Sequence, residues 1–174
     1  MADIPEGIVL RRDRDLEGRK YDVWIRRSLL ALVALVPVLA LFNLFGQRAD
    51  TLKASTPTAS LSVSVPSRLR GGLLYQARFH ITAHRDLKNA TLVLDPGWVE
   101  EMQVNTIEPS PVNEASKNGK LELTLGHIAS GHSYVLFMEF QVNPTNVGHR
   151  GAGVELWDGN SKLVHIPRAV TVYP

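Results

Sequence analysis

The stretch "KLELTLGHIASGHSYVLFMEFQV", Lys120 to Val142, is the part of the sequence that decides the fold. It contains two segments in which every second residue is apolar, one around Leu123 and the other around Met138. A period of two places apolar side chains on one face of a β-strand. Gly126 and Gly131, between the two segments, favour bends. The stretch therefore predicts a strand, a connection and a returning strand that share a buried face.

The same alternation recurs through the C-terminal two thirds of the chain. It is clear in "SLSVSV" (60–65) and "YQARFHITAH" (75–84), and further strands are predicted near residues 90–94, 99–104, 153–157, 162–166 and 169–173. Turn-forming groups such as "DPG" and "KNG" separate these segments. About seven to nine short strands, each with one apolar face, predict an all-β fold of two antiparallel sheets packed face to face.

The paired strands of residues 120–142, together with the closing "AVTVYP" at 169–174, resemble the immunoglobulin-like extracytoplasmic domains of membrane-tethered bacterial proteins. The resemblance covers residues 60–174 only. It implies an immunoglobulin-like β-sandwich and a role in protein–protein interaction rather than a particular activity. The Cys-Trp-Cys pattern of antibody domains is absent, because the chain has no cysteine.

A second feature is the apolar segment "SLLALVALVPVLALFNLF", residues 28–45, which contains no charged residue. As a helix it would be about 27 Å long, close to the thickness of a bilayer's hydrocarbon core. We therefore predict a single transmembrane helix at 28–46. The residues expected to anchor it are Trp24, Arg26, Arg27, Pro37 and Asn43. A core helix would show periodic polar residues, and a cleaved signal peptide would be shorter and end at a small-residue site.

The charges that flank this segment predict its orientation. Residues 8–27 carry seven lysines and arginines, whereas residues 46–65 carry two. The positive-inside rule therefore predicts a cytoplasmic charged arm at 1–27 and an extracytoplasmic C-terminal part. That part is predicted to comprise a polar stalk at 47–59 and the immunoglobulin-like domain at 60–174. The predicted localisation is the cell membrane, crossed once.

The histidines are the strongest candidates for chemistry. His127 and His132 lie on either side of the predicted connection, and His149 lies in a later loop. Three imidazoles could hold copper or zinc, so a membrane-tethered metal-binding protein is the alternative function. Against it, the sequence has no H-E-x-x-H or similar spacing, and loop histidines without a metal are the ordinary interpretation.

The sequence gives little support for catalysis or nucleic-acid binding. Ser130, His132 and Ser133 lie close together, but there is no nucleophile elbow and no phosphate-binding glycine loop. The net charge of +2 gives no basis for nucleic-acid binding. We therefore expect a non-enzymatic protein without cofactor or small-molecule substrate. Its expected partners are the lipid bilayer and another membrane or envelope protein, for which it acts as an accessory or assembly subunit.

Overall fold

The computed structural model describes residues 20–42 and 48–174. The chain forms two compact units, Met1–Gly46 and Gln47–Pro174, which are described separately. Within the described residues, the first unit contains one helix and the second an all-β domain.

Helix α1 runs from Lys20 to Leu41 and includes Pro37 in its interior. An 18-residue segment within its residues 21–41 has a mean hydropathy of 1.9, and none of that segment is buried within the protein. The helix is long and apolar enough to cross a membrane, a property that it shares with signal sequences near an N-terminus. It begins eight residues before the predicted start at Ser28, so Trp24, Arg26 and Arg27 are helical. Asn43 and residues 1–19 of the predicted arm lie outside the described residues.

Thirteen strands are present within the described residues. Their bounds are β1 Ala49–Ser55, β2 Ala59–Pro66, β3 Arg68–Arg70, β4 Leu74–Ala83, β5 Leu87–Leu94, β6 Met102–Glu108, β7 Asn113–Lys117, β8 Lys120–Ile128, β9 Ser133–Val142, β10 Gly148–Gly151, β11 Val154–Asp158, β12 Ser161–Ile166 and β13 Ala169–Tyr173.

The strands form two five-stranded sheets and one smaller sheet. The first large sheet has the order β1-β2-β4-β9-β6, and the second has the order β12-β11-β5-β8-β7. All pairings within these two sheets are antiparallel. The third sheet, β10-β13-β3, contains a parallel pair between β13 and β3.

A single apolar core joins the large sheets. It contains the inward residues of β2, β4 and β9 from one sheet and of β5, β8 and β11 from the other. At its centre, Trp98 packs against Phe79 and Phe140 at ring-centroid distances of 5.3 and 5.6 Å. The guanidinium of Arg168 covers the Trp98 ring at 4.8 Å. The predicted fold class, an immunoglobulin-like antiparallel β-sandwich preceded by one apolar helix, is confirmed, with more strands than predicted.

The stalk predicted at 47–59 is wrong over most of its length, because residues 49–55 form strand β1. Every residue of β1 pairs with β2, from Ala49 opposite Pro66 to Ser55 opposite Ser60. The segment was misinterpreted because an edge strand needs no apolar face: six of its seven residues are exposed, and only Ala54 is half-buried. The folded domain therefore begins more than ten residues before the predicted position 60.

Three further strands were missed for similar reasons: β3 and β10 are very short, and all five residues of β7 are exposed. The strand predicted at 99–104 begins only at Met102. Before it, Pro96–Trp98 form a 3-10 turn that carries Trp98 into the core. The indole nitrogen of Trp98 donates to the carbonyl oxygen of Ala152 at 2.8 Å, which fixes this turn against a neighbouring loop.

The register gives the sandwich two distinct ends. At one end, β1 begins, β2 ends at Pro66, β4 begins at Leu74 and β9 ends at Val142. We call this the basic end, after Arg48, Arg68 and Arg70. At the other, the turns 56–58, 84–86 and 129–132 connect the strands. We call this the histidine end, after His84, His127 and His132.

Candidate interaction surface at the histidine end

Backbone hydrogen bonds join the three turns of the histidine end. The amides of His84 and Arg85 both donate to the carbonyl oxygen of Thr58, at 2.9 and 3.0 Å. The amide of Gly131 donates to the carbonyl oxygen of Ala83 at 2.8 Å. In turn, the amide of Ala83 donates to the carbonyl oxygen of His132 at 3.0 Å. These bonds satisfy backbone groups that would otherwise project into solvent, so the turns form one connected surface.

Gly131 shows why this particular sequence makes the turn between β8 and β9. Its φ of +79° lies in the left-handed region that a β-carbon disfavours. Ile128, just before the turn, is buried beneath it with 4% of its surface exposed. The predicted bend at Gly131 is therefore present.

His127, predicted to be a loop histidine, lies on strand β8, because β8 continues to Ile128. Its Nε2 is 2.8 Å from Oδ1 of Asp86, in the turn after β4. Both side chains are more than half exposed, at 57% and 55%. An exposed pair of this kind contributes little to folding.

His132 and Ser130 lie in the turn itself, but they do not form a nucleophile–base pair. The hydroxyl of Ser130 donates to the carbonyl oxygen of His84 at 3.0 Å. Nδ1–H of His132 donates to the carbonyl oxygen of Ser130 at 3.3 Å. The serine hydroxyl is thus directed at the backbone, not at an imidazole that could take its proton.

His149 lies at the opposite end of the sandwich, on β10, where its Nδ1 is 3.0 Å from the hydroxyl of Thr171. It cannot join His127 and His132, which are at the histidine end. Across residues 20–42 and 48–174, no three or more histidine, cysteine or carboxylate side chains come together in a way that could hold a metal ion. The three-histidine metal site considered from the sequence is therefore not formed.

A shallow polar groove adjoins the histidine end on the outer face of the first large sheet. It has a volume of about 260 Å³ and is lined by Lys53, Ala54, Ser55, Ser60, Leu61, Ser62, His80 and Thr82. The outward residues of β2 are serines, so the floor of the groove is flat, and Lys53 and His80 supply nitrogen donors. At the rim, Thr82 and Ser133 are joined by a hydroxyl–hydroxyl hydrogen bond of 3.1 Å. The groove was missed because one of its walls is β1, the strand mistaken for a stalk.

The surface offers both hydrogen-bond donors and acceptors on a fixed backbone. Ammonium, imidazole and hydroxyl groups line the groove, and the Asp86 carboxylate lies in the turn after β4. Such a mixture fits the polar groups of another protein's surface or main chain.

A second group of charged side chains lies on the outer face of the other large sheet. Glu155 is 9% exposed and accepts a hydrogen bond from the Trp157 indole at 2.9 Å. Nζ of Lys120 and Nζ of Lys162 are 3.7 and 3.5 Å from its Oε1. Lys120 also lies 2.9 Å from Asp95, and this hydrogen bond raises the pKa of the Lys120 ammonium. The carboxylates are held by lysines across β8, β11 and β12, an arrangement that ties strands together.

The helix carries the remaining predicted site residues. Trp24 is 66% exposed, and the guanidinium of Arg27 lies 5.7 Å from the centre of its ring. Arg26 lies on the next turn of helix from Asp22, and Pro37 is within the apolar part. These residues have the composition of an interfacial belt next to an apolar segment.

No protein-family model and no curated protein sequence matches the chain. Among solved structures, it is similar to the FixG-related protein from Vibrio parahaemolyticus, at 15% identity over 69% of this chain and 100% of that one, with a TM-score of 0.39. It is also similar to the C-terminal domain of wzt, at 12% identity over 74% of this chain and 81% of that one (TM-score 0.42). A third is a non-cellulosomal cohesin from the archaeon Archaeoglobus fulgidus, at 14% identity over 73% and 92% (TM-score 0.40). At these identities and TM-scores, the similarities support no conclusion about function.

Proposed function

We propose that this chain is a single-pass membrane protein that displays its β-sandwich outside the membrane as a non-catalytic binding subunit. The partner is another membrane or envelope protein, which the chain serves as an accessory or assembly factor. The observation that carries the proposal is the helix: an 18-residue apolar segment within its residues 21–41 has no buried residue in the protein.

An unburied apolar helix of this length needs an apolar environment, and a bilayer supplies one. The exposed large side chains of the helix include Leu29, Leu30 and Leu35, which lie on different faces. A helix that is apolar all round is suited to lipid rather than to one side of a soluble core. The seven basic residues of 8–27 support a cytoplasmic N-terminus in a bacterial cell membrane.

The histidine end and its groove support binding as the role of the sandwich. The turns are fixed by backbone bonds, while His84, Asp86, His127 and His132 remain exposed. A preorganised polar surface loses little conformational freedom when a partner binds. The free edge of β7 is a poorer candidate, because Glu114 and Lys117 give it the charges that protect edge strands from pairing.

Membrane topology is tested first, with the full chain in intact cells from which the outer wall has been removed. The chain has no cysteine, so single cysteines can be introduced at Ala2 and Lys117 and labelled with a membrane-impermeant maleimide. We expect the K117C protein to be labelled and the A2C protein to be labelled only after lysis. Labelling of both before lysis would contradict the proposed orientation.

Binding is tested by placing a photo-crosslinking amino acid at His132, in the histidine end, and at Glu114, on the β7 edge, as the matched control. After irradiation the full chain is purified in mild detergent. One stoichiometric crosslinked protein is expected from position 132 and not from position 114. Recovery of the uncrosslinked chain alone, or equal products from both positions, would reject the histidine end as the binding surface.

A further inference from the structure

Four large apolar side chains are exposed together at the basic end. Leu73, Leu74, Val147 and Tyr173 have 45%, 53%, 52% and 49% of their surfaces exposed. Backbone bonds bring their segments together: Gly71 donates to the carbonyl oxygen of Tyr173, and Gly72 to that of Val142, both at 2.9 Å. Within residues 48–174, four of the six exposed large apolar side chains are thus at this end, the other two being Leu52 and Val112.

Three arginines accompany them. Arg48 immediately precedes β1, and Arg68 and Arg70 are the exposed residues of β3. Within residues 20–42 and 48–174, none of the three forms an ion pair, although Nε of Arg70 donates to the carbonyl oxygen of Pro174 at 3.3 Å. Their charges are thus available to an anionic surface. The acidic side chains nearby have other partners. Asp50 accepts a hydrogen bond from the Ser67 hydroxyl, and Glu100 and Glu101 form ion pairs with Arg150.

The turn that carries the two leucines is held in place by close packing. A β-carbon on Gly71 would come within 2.8 Å of the carbonyl oxygen of Pro144, and Gly72 has a φ of +78°. Only glycine allows this approach of the 71–74 turn to the loop that precedes Val147. The apolar side chains are consequently presented at fixed positions.

The covalent connection between helix α1 and strand β1 is short. Helix α1 ends at Leu41 and β1 begins at Ala49. Eight residue steps span at most about 28 Å, even when fully extended. The start of β1, at the basic end, therefore lies within that distance of Leu41.

We propose that the basic end of the sandwich docks onto the anionic headgroup surface of the bilayer that the helix crosses. Tyr173 and the leucines enter the interfacial region, where aromatic and apolar side chains are favoured. Arg48, Arg68 and Arg70 pair with lipid phosphates through their guanidinium groups. This docking depends on the membrane anchoring proposed above and leaves the histidine end facing away for a partner.

The test uses the full chain reconstituted in vesicles with no other protein. Single cysteines at Val147, at His132 and at Leu32 in the helix carry an environment-sensitive fluorophore, and an aqueous quencher measures their accessibility. In vesicles of phosphatidylglycerol and phosphatidylcholine we expect the Val147 label to be quenched several-fold less than the His132 label. Added salt, or phosphatidylcholine alone, is expected to reduce that protection because the attraction to phosphates is screened or absent.

The charge-reversal variant Arg68→Glu/Arg70→Glu should expose the Val147 label, whereas Arg85→Glu/Lys88→Glu, at the histidine end, should not. Equal quenching at Val147 and His132 in the anionic vesicles would overturn the docking. Protection of Val147 that does not depend on lipid charge or salt would overturn the arginine contacts. The Leu32 label separates the two proposals: if it is protected while Val147 is accessible, anchoring stands and docking fails, and if it is accessible, anchoring itself fails.

Discussion

Nε2 of His127 and Oδ1 of Asp86 lie 2.8 Å apart, although 41 positions separate the two residues in sequence. The contact joins the end of β8 to the turn after β4 at the surface proposed to bind a partner.

Replacing Asp86 by Asn should weaken crosslinking from position 132 while changing the free energy of unfolding by less than about 1 kcal/mol. The reason is that a hydrogen bond or ion pair between two exposed side chains contributes at most about this amount to folding. Crosslinking yield and chemical unfolding in mild detergent measure the two effects separately. Glu114→Gln removes a carboxylate on the β7 edge and should alter neither. An Asp86→Asn protein that retains full crosslinking would remove this pair from the interface.

Gly71→Ala is expected to destabilise the sandwich by about 1–3 kcal/mol, the usual cost of forcing extra volume into a packed site. The added β-carbon would lie 2.8 Å from a backbone oxygen of Pro144, and backbone cannot swing aside as a side chain can. Gly151→Ala is the matched control, because its β-carbon would meet no atom within 4 Å. It should change the unfolding free energy by less than about 0.5 kcal/mol. Similar losses in the two variants would show that the contact with Pro144 is unimportant.

Arg168→Leu should lower the free energy of unfolding by about 2–4 kcal/mol. The guanidinium donates to the carbonyl oxygen of Pro66 and stacks on Trp98, and loss of a buried acceptor's partner costs about 1–3 kcal/mol on its own. Burial lowers the pKa of Arg168, while Tyr75 and Asp50 oppose that shift. Arg168→Lys keeps a charge and one donor, so its loss should be smaller. Unfolding followed by tryptophan fluorescence measures both variants.

Stability should fall at alkaline pH because of Tyr75. Burial raises the pKa of its phenol above the ordinary 10.0, with Arg168 opposing the shift. The unfolded chain therefore releases this proton at a lower pH than the folded chain does. As pH rises through 10, the free energy of unfolding decreases by up to about 1.4 kcal/mol per pH unit.

The variant Tyr75→Phe should lose less stability over the same interval. At neutral pH it should resemble the wild type, because the hydroxyl donates a weak hydrogen bond to the sulfur of Met102, at 3.5 Å. Unfolding curves at a series of pH values compare the two proteins. Parallel falls in stability would assign the alkaline loss to other groups.

The sequence predicts those strands whose two faces differ in polarity. β2, β4, β8 and β9 alternate between buried and partly exposed residues along most of their length, and each was located to within a few residues. β1 and β7 were missed because nearly all their side chains are exposed on sheet edges. These two strands form because their backbones pair with a neighbouring strand, and the pattern of residue types does not indicate that pairing.

Less of the candidate surface than of the core could be predicted from the sequence. The turn at Gly131 follows from local residue preferences. The pairing of His127 with Asp86, and the placement of His149 at the opposite end, depend on strand order. Spacing along the chain suggested a cluster of three histidines, but the sheet topology separates them. Lys53 joins the groove only because residues 49–55 return to the sheet as β1.

The pairing of β1 with β2 determines where the chain can be shortened. Strand β2, "ASLSVSVP", carries no charge and consists of alternating serine and aliphatic residues. With β1 in place, its outer row of amide and carbonyl groups is covered by a strand containing Asp50 and Lys53. A fragment that begins at residue 60 would leave this neutral, strand-forming segment as a bare edge, the kind of template on which chains aggregate. A fragment that begins at Arg48 retains the cover strand and should remain monomeric at concentrations at which the shorter one precipitates.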